Sequence, residues 1–451
     1  MNIAIGRVAG SAVLGLTQSI LASASIAALL NPAGSVASRY LASQRSRGGD
    51  SDTAATAAYL ARRTVVIAMA LAISTAVVII LSSHVPLSTA IVTGLMVLAV
   101  TGRGFIEGLH FGGGETTRLA QWSVIVAVLG TVGTLAVVLS GVRSAWVLGP
   151  LIVASLIFVT LSWPRRGGRM KDSALKREIR VFMLLATLGT LASNGFSQSA
   201  VLVATAVNGL EYAGEYAAAF TLVTPLFLVT TAMGSVLFPA LAAAHSSGST
   251  ERVRVVLRRA TAALITAVTG GFIVLAVASG TLVRVLWGDG FSLSGMIILV
   301  LLPGIVASAL AVPAVNSITS SSNRGMMVSV VSSGSGALVG ILTWLLVVPV
   351  YPEIGVPIGF SVGTITIALI PYLIAWKRYG MRWTRETLTV VLAVTITLCV
   401  STVLQLHQVS GVYSALIGII LLALWCLVRR TSARELFEAV KGVIGRRHDR
   451  G

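Results

Sequence analysis

Runs of about 20 apolar residues recur along almost the whole 451-residue chain, as in Thr64–Leu81 (TVVIAMALAISTAVVIIL), and one such run suffices to cross the hydrocarbon of a bilayer. Residues are 55% hydrophobic and only 11% charged, with a mean hydropathy of +0.91, a balance that a water-facing surface cannot carry. The solvent is therefore lipid. Lipid offers backbone N–H and C=O groups no partner, so spanning segments are helices or closed barrels, and uninterrupted apolar runs lack the alternation of barrel strands. The chain is expected to be an all-α integral membrane protein with about thirteen transmembrane helices. They fall near residues 8–30, 64–82, 86–102, 119–140, 146–163, 180–207, 215–243, 258–286, 293–319, 326–349, 355–376, 387–405 and 411–428.

The connections support this division. Of the 33 Lys and Arg residues, thirty lie in the odd-numbered connections, at the helix ends beside them or in the C-terminal tail; only Arg7, Arg143 and Arg284 fall elsewhere. Alternation of this kind is the positive-inside pattern, and it places the odd connections and the tail in the cytoplasm of a multi-pass cell-membrane protein. The formal charge of +18 thereby receives a membrane explanation, and no nucleic-acid partner is expected. The two cysteines, Cys399 and Cys426, lie inside apolar spans and read as small core residues rather than as a disulfide or metal pair.

An internal echo organises the helices. Gly34-Ser35-Val36, Leu41-Ala42 and Arg62-Arg63-Thr64 return as Gly234-Ser235-Val236, Leu241-Ala242 and Arg258-Arg259-Ala260-Thr261, at an offset close to 200 residues. Parallel repeats of this type are a transporter plan. They predict an N-terminal lobe over 1–163, a basic cytoplasmic linker over 164–179, a C-terminal lobe over 180–376, two peripheral helices over 377–428 and a basic tail over 429–451. At the same offset, the helix near 180–207 has a counterpart that would begin ahead of Met1. The full plan is thus expected to be two pseudo-symmetric six-helix lobes plus two helices, with the first helix missing from the first lobe.

Motifs for chemistry are sparse. No G-x-x-x-x-G-K-[ST] run occurs, and Gly112-Gly113-Gly114 reads as a flexible turn in a cytoplasmic loop, so ATP hydrolysis is not expected. The five histidines are scattered, with His110 in a loop, and the connections assigned to the outside are short, so neither an enzyme nor a metal or cofactor site is expected. Polar groups at membrane depth carry more information because they are costly there. Asn194 and Gln198 lie four apart on one helix face, and Asn316 lies one turn before Ser320. These residues either bond neighbouring helices or line a cavity. Pro225, Pro239, Pro303 and Pro313 interrupt long helices and are candidate hinges. Arg39, Arg103, Glu107 and Arg118 gather mixed charge at the cytoplasmic mouth, either snorkelling to lipid headgroups or attracting a diphosphate. Glu211 and Glu215 lie four apart on the outside, where the start of a helix favours them.

Several short stretches carry a resemblance. Asn208-Gly209, Gly214, Tyr216, Pro225 and Phe238-Pro239 fall in a "G-x-x-x-x-G-x-Y … P … P" order. Ser38-Arg39-Tyr40-Leu41-Ala42 ends one helix, Arg103-Gly104-Phe105-Ile106-Glu107-Gly108 ends another, and Trp287-Gly288-Asp289-Gly290-Phe291 follows a third. In this order they resemble the polysaccharide and O-antigen flippases of the multidrug/oligosaccharidyl-lipid/polysaccharide exporter superfamily. The resemblance implies two six-helix lobes around a central cavity and translocation of undecaprenyl-diphosphate-linked oligosaccharide between leaflets. It further implies that Arg39, and then Arg103, meet the diphosphate. Membrane lipids and a polysaccharide polymerase or glycosyltransferases are the partners it suggests. A cation-coupled drug exporter of the same superfamily and a non-transporting scaffold are the alternative readings.

Overall fold

The computed structural model describes residues 1–46, 50–82, 85–164, 173–246, 250–320, 323–381, 383–407 and 409–430, and the tail over 431–451 lies outside them. All described elements are helical. Twelve helices among the described residues are long and apolar enough to span a membrane. The chain is a multi-pass membrane protein.

In the first half, α1 (Asn2–Ala9), α2 (Ser11–Leu29), α3 (Ala33–Ser46), α4 (Asp50–Ser82), α5 (Leu87–Gly113) and α6 (Thr116–Leu139) lead through a single 3-10 turn into α7 (Gly149–Ser162). After residues outside the described set, α8 (Ser173–Thr190) runs through a π-helical turn, Leu191–Gly195, into α9 (Phe196–Ser246). The second half comprises α10 (Thr250–Trp287), α11 (Ser294–Thr319), α12 (Asn323–Val347), α13 (Pro352–Tyr379), α14 (Thr384–Leu406) and α15 (Gly411–Val428).

At 1.5 Å per residue a straight α9 would extend about 76 Å, more than twice the hydrocarbon thickness. The helix is instead broken at Gly209, with φ 79° and ψ −171°. This break separates the sixth and seventh expected helices. Gly10, 199 positions earlier, separates α1 from α2 with φ 90° and ψ 176°. The repeat therefore extends to backbone conformation, and α1 stands where the second copy has the turns before Gly209. At Gly10 the chain folds back, for Gln18 Nε2 donates to Asn2 Oδ1 at 3.0 Å. Both conformations belong to a region that residues with a Cβ rarely adopt, and a Cβ added at Gly209 would meet nothing within 4 Å. Gly209→Ala is accordingly expected to destabilise through backbone strain alone, by about 1–3 kcal/mol. Thermal unfolding of the purified variant in detergent checks this.

The helices divide into two units, Met1–Ala217 and Ala218–Gly451. The first reaches beyond the lobe expected over 1–163, because the helical run from α8 into α9 packs along α2 and α3. Gly15 and Gly214, again 199 apart, let α2 and α9 cross closely: a Cβ on Gly15 would lie 2.8 Å from the Gly214 nitrogen. The linker expected over 164–179 is helical from Ser173 onward. Within the second unit, α14 and α15 pack against α10; Trp425 Nε1 donates to the Thr266 carbonyl at 3.1 Å, and Gln405 Nε2 to Ser279 Oγ at 2.7 Å. Cys399 and Cys426 are exposed rather than in the core. Lipid accepts a small apolar side chain as readily as a protein interior does, so hydropathy does not distinguish the two.

Candidate functional site

The site is built at one end of the first unit, where α3, α5 and α8 extend beyond the apolar spans. Helix α5 does not stop near residue 102, where the apolar run ends. It continues to Gly113, and Gly114 closes it in a left-handed conformation with φ 72°. Arg103, Glu107 and His110 therefore stand on a helix and not in a loop. The Gly112-Gly113-Gly114 cluster is the helix end and its cap, not a flexible turn. Gly104, Gly108 and Gly112 recur every four residues along α5, and α3 lies against them through Gly34, Ala37 and Leu41. Small residues at this spacing let two helix backbones touch, which is how helices associate in lipid.

This contact fixes the polar groups. Arg103 Nε and Glu107 Oε1 pair at 2.7 Å, with side chains 32% and 34% exposed. The pairing neutralises much of Arg103's charge locally. His110, expected to be a loop residue, is buried; its Nδ1 lies 2.9 Å from Glu115 Oε2 and its ring stacks on Phe158. Glu115 also pairs with Arg118 at 3.4 Å.

Arg39 differs from Arg103 in what holds it. Its guanidinium lies 4.4 Å from the centre of the Phe182 ring and makes no ion pair among the described residues. The adjacent Tyr40 is buried, and its hydroxyl donates to Glu178 Oε1 at 2.8 Å. Burial and that bond push the tyrosine pKa up to about 12, so it stays a donor throughout the physiological range. The nearby carboxylate is thus engaged by Tyr40. The Arg39 guanidinium carbon lies over an aromatic ring, a cation–π contact that uses none of its N–H donors. Nothing in the local sequence around Phe182 and Glu178 marks them as neighbours of Arg39 and Tyr40.

The remaining candidates are dispersed. Asn194 lies in the π-helical turn and is exposed, whereas Gln198 lies in the first turn of α9 and is half-buried. The wider π turn changes the register between them, so a four-residue spacing no longer guarantees a shared face. Asn316 is half-buried in α11, its amide nitrogen 3.4 Å from the place a Cβ on Gly234 would take. Pro303 and Pro313 do not interrupt α11, which runs continuously through both. Pro225 and Pro239 likewise lie within the helical stretch after Gly209, and the side chain of Pro239 is outside the described residues. The break in α9 occurs at glycine.

Two further groups gain weight from the structure. Of the two carboxylates expected on the outer side, Glu215 is buried at 7% exposure while Glu211 is exposed. Asn31, at the break between α2 and α3, is also 7% exposed, and neither amide atom has a hydrogen-bond partner. Ionisable and polar groups buried in a membrane protein are functional candidates by default. Among the described residues no group of three or more His, Cys, Asp or Glu is placed to hold a metal ion.

No protein-family model and no curated protein matches the sequence. Solved structures do resemble it. The lipid II flippase MurJ, in an inward closed conformation, superposes with a TM-score of 0.70 at 14% identity, covering 95% of this chain and 95% of that one. An inward-facing multidrug resistance MATE family transporter of the MOP superfamily gives 0.62 at 15% identity, over 84% of this chain and 94% of its own. Another MATE structure, that of a point mutant, gives 0.51 at 15% identity, over 84% and 91%. At such identities the likeness concerns the fold. The chain shares its fold with these solved transporters.

Proposed function

We propose that the protein is a flippase that moves an undecaprenyl-diphosphate-linked oligosaccharide across the cytoplasmic membrane by alternating access, for cell-surface polysaccharide assembly. The observation that carries this reading is the state of Arg39: over the Phe182 ring, exposed, and without an ion pair among the described residues. A guanidinium held over a ring presents a planar fork that matches phosphate oxygens. Arg103 is the secondary ligand, since a phosphate must first compete with Glu107 for it. The order of the short motifs, and the likeness to a fold shared by proteins named as a lipid flippase and as multidrug transporters, support the same reading.

In this reading Asn194, Gln198 and Asn316 serve the oligosaccharide, and Pro225, Pro239, Pro303 and Pro313 supply local bending during the change of access. The odd connections and the tail face the cytoplasm. A polymerase or glycosyltransferase acts beside it on the same lipid-linked chains. Depletion tests the proposal: lipid-linked glycans are expected to accumulate on the cytoplasmic leaflet, measured by accessibility to a glycan-specific probe in inverted and right-side-out vesicles. An unchanged distribution after depletion refutes it.

A further inference from the structure

A second polar site lies in the second unit, remote in sequence from the residues above. The turn between α10 and α11 and the turn between α14 and α15 meet there around a pocket of about 340 Å³. This is the helix end opposite the basic stretch that opens α10, and the distribution of cations assigns it to the outer face. The volume is near the lower end of the range for small-ligand sites, suited to a headgroup rather than to a whole lipid.

The pocket walls are chemically divided. Val277, Leu404 and Val409 make an apolar side, and the neighbouring surfaces of α14 and α15 are exposed apolar faces, with Val403 and Val412 among their outward residues. The polar side begins with a fixed strut, in which Gln405 Nε2 donates to Ser279 Oγ and Ser279 Oγ donates to the Ala276 carbonyl, each at 2.7 Å. Ser414, in the first turn of α15, lines the pocket at 5% exposure, and its hydroxyl has no hydrogen-bond partner among the described residues. The start of α15 has no side-chain cap, so its first N–H groups remain available beside that hydroxyl. Arg284 and Asp289 close the rim, 3.9 Å apart.

We infer that this pocket binds the headgroup of an aminophospholipid, namely phosphatidylethanolamine. Ser414, the first turn of α15 and Arg284 take the phosphodiester, while Asp289 takes the primary ammonium. One cation and one carboxylate at the spacing of an ion pair complement a zwitterion of the same size, and the apolar wall continues into surfaces suited to acyl chains. The site does not depend on the translocation reading. It lies outside the α3, α5 and α8 cluster and would hold its lipid in a protein that transports nothing.

Native mass spectrometry of the full chain tests the inference. The protein, purified in detergent, is supplied separately with phosphatidylethanolamine, with phosphatidylcholine and with inorganic phosphate. Wild type is expected to retain phosphatidylethanolamine about tenfold better than phosphatidylcholine, whose quaternary nitrogen has no N–H to give Asp289. Arg284→Gln and Ser414→Ala are expected to lower that retention about tenfold each, and Asp289→Asn to remove the preference between the two lipids. Gel filtration and thermal melting verify that each variant is folded; Ser414→Ala removes only a hydroxyl and keeps the test usable should a rim variant misfold. Equal retention by wild type and by folded Arg284→Gln and Ser414→Ala overturns the inference. Displacement of the lipid by millimolar inorganic phosphate also overturns it, because the site would then be an anion site without a lipid requirement.

Discussion

Gly108→Ala is expected to destabilise the fold strongly, while Gly104→Ala, one turn away in the same stripe, is expected to leave stability almost unchanged. A Cβ on Gly108 would be forced into the backbone of Gly34, meeting its carbonyl oxygen, carbonyl carbon and Cα, and no rotamer change relieves a clash with backbone. A Cβ on Gly104 would meet nothing within 4 Å, although its carbonyl touches α3. The expected cost at Gly108 is about 1–3 kcal/mol or more for overpacking. Lipid makes this cost hard to recover, because helices in a bilayer associate through close packing rather than through hydrophobic burial. Gly112→Ala is intermediate: its Cβ would lie 2.8 Å from the Ala37 carbonyl oxygen and 2.9 Å from the Leu41 Cβ. Folded yield and melting temperature in detergent measure all three. Equal behaviour of Gly104→Ala and Gly108→Ala would show that α3 and α5 are not in the described contact.

How much of this is legible in sequence depends on which solvent a residue meets. Apolar runs reveal crossings because lipid demands them, so the positions of the helices and the repeat are readable from Gly34, Gly234 and the arginine pairs. Hydropathy does not report where a helix continues in water. It therefore ends α5 at residue 102, although Arg103 and Glu107, four apart, brace its next turn. The stripe of Gly104, Gly108 and Gly112 has the spacing that helix contacts require, but the charges between its members give the stretch the look of a loop. Prolines resemble interruptions, yet glycine makes the break: in a membrane helix a proline's freed carbonyl finds other partners, whereas Gly209 takes the backbone out of the helical conformation altogether. The environment of Arg39 is hidden for a different reason. Tyr40 and Glu178 are 138 residues apart, and no local pattern states which distant helix arrives beside them.

That distant helix decides what Arg39 can do, and the proposed flippase activity turns on it. Arg39→Ala is expected to lower translocation by about 10- to 100-fold, the loss of roughly 1.5–3 kcal/mol from hydrogen bonds to a charged partner. Arg39→Lys retains the charge but loses both the planar fork and much of the stacking on Phe182, so only partial activity is expected. Phe182→Leu, which keeps apolar bulk and removes the aromatic face, is expected to resemble Arg39→Lys. Arg103→Ala is expected to cost less than Arg39→Ala, because Glu107 already occupies the Arg103 guanidinium. The ranking separates a phosphate ligand from a structural arginine: a structural role would lower the melting temperature in parallel with activity, whereas ligand binding spares it, as Arg39 is exposed and makes no ion pair among the described residues. The measurement is initial-rate flipping of a lipid-linked oligosaccharide in proteoliposomes, alongside thermal melting of each variant. Arg39→Ala protein that melts like wild type and flips within twofold of its rate would remove Arg39 from the substrate path.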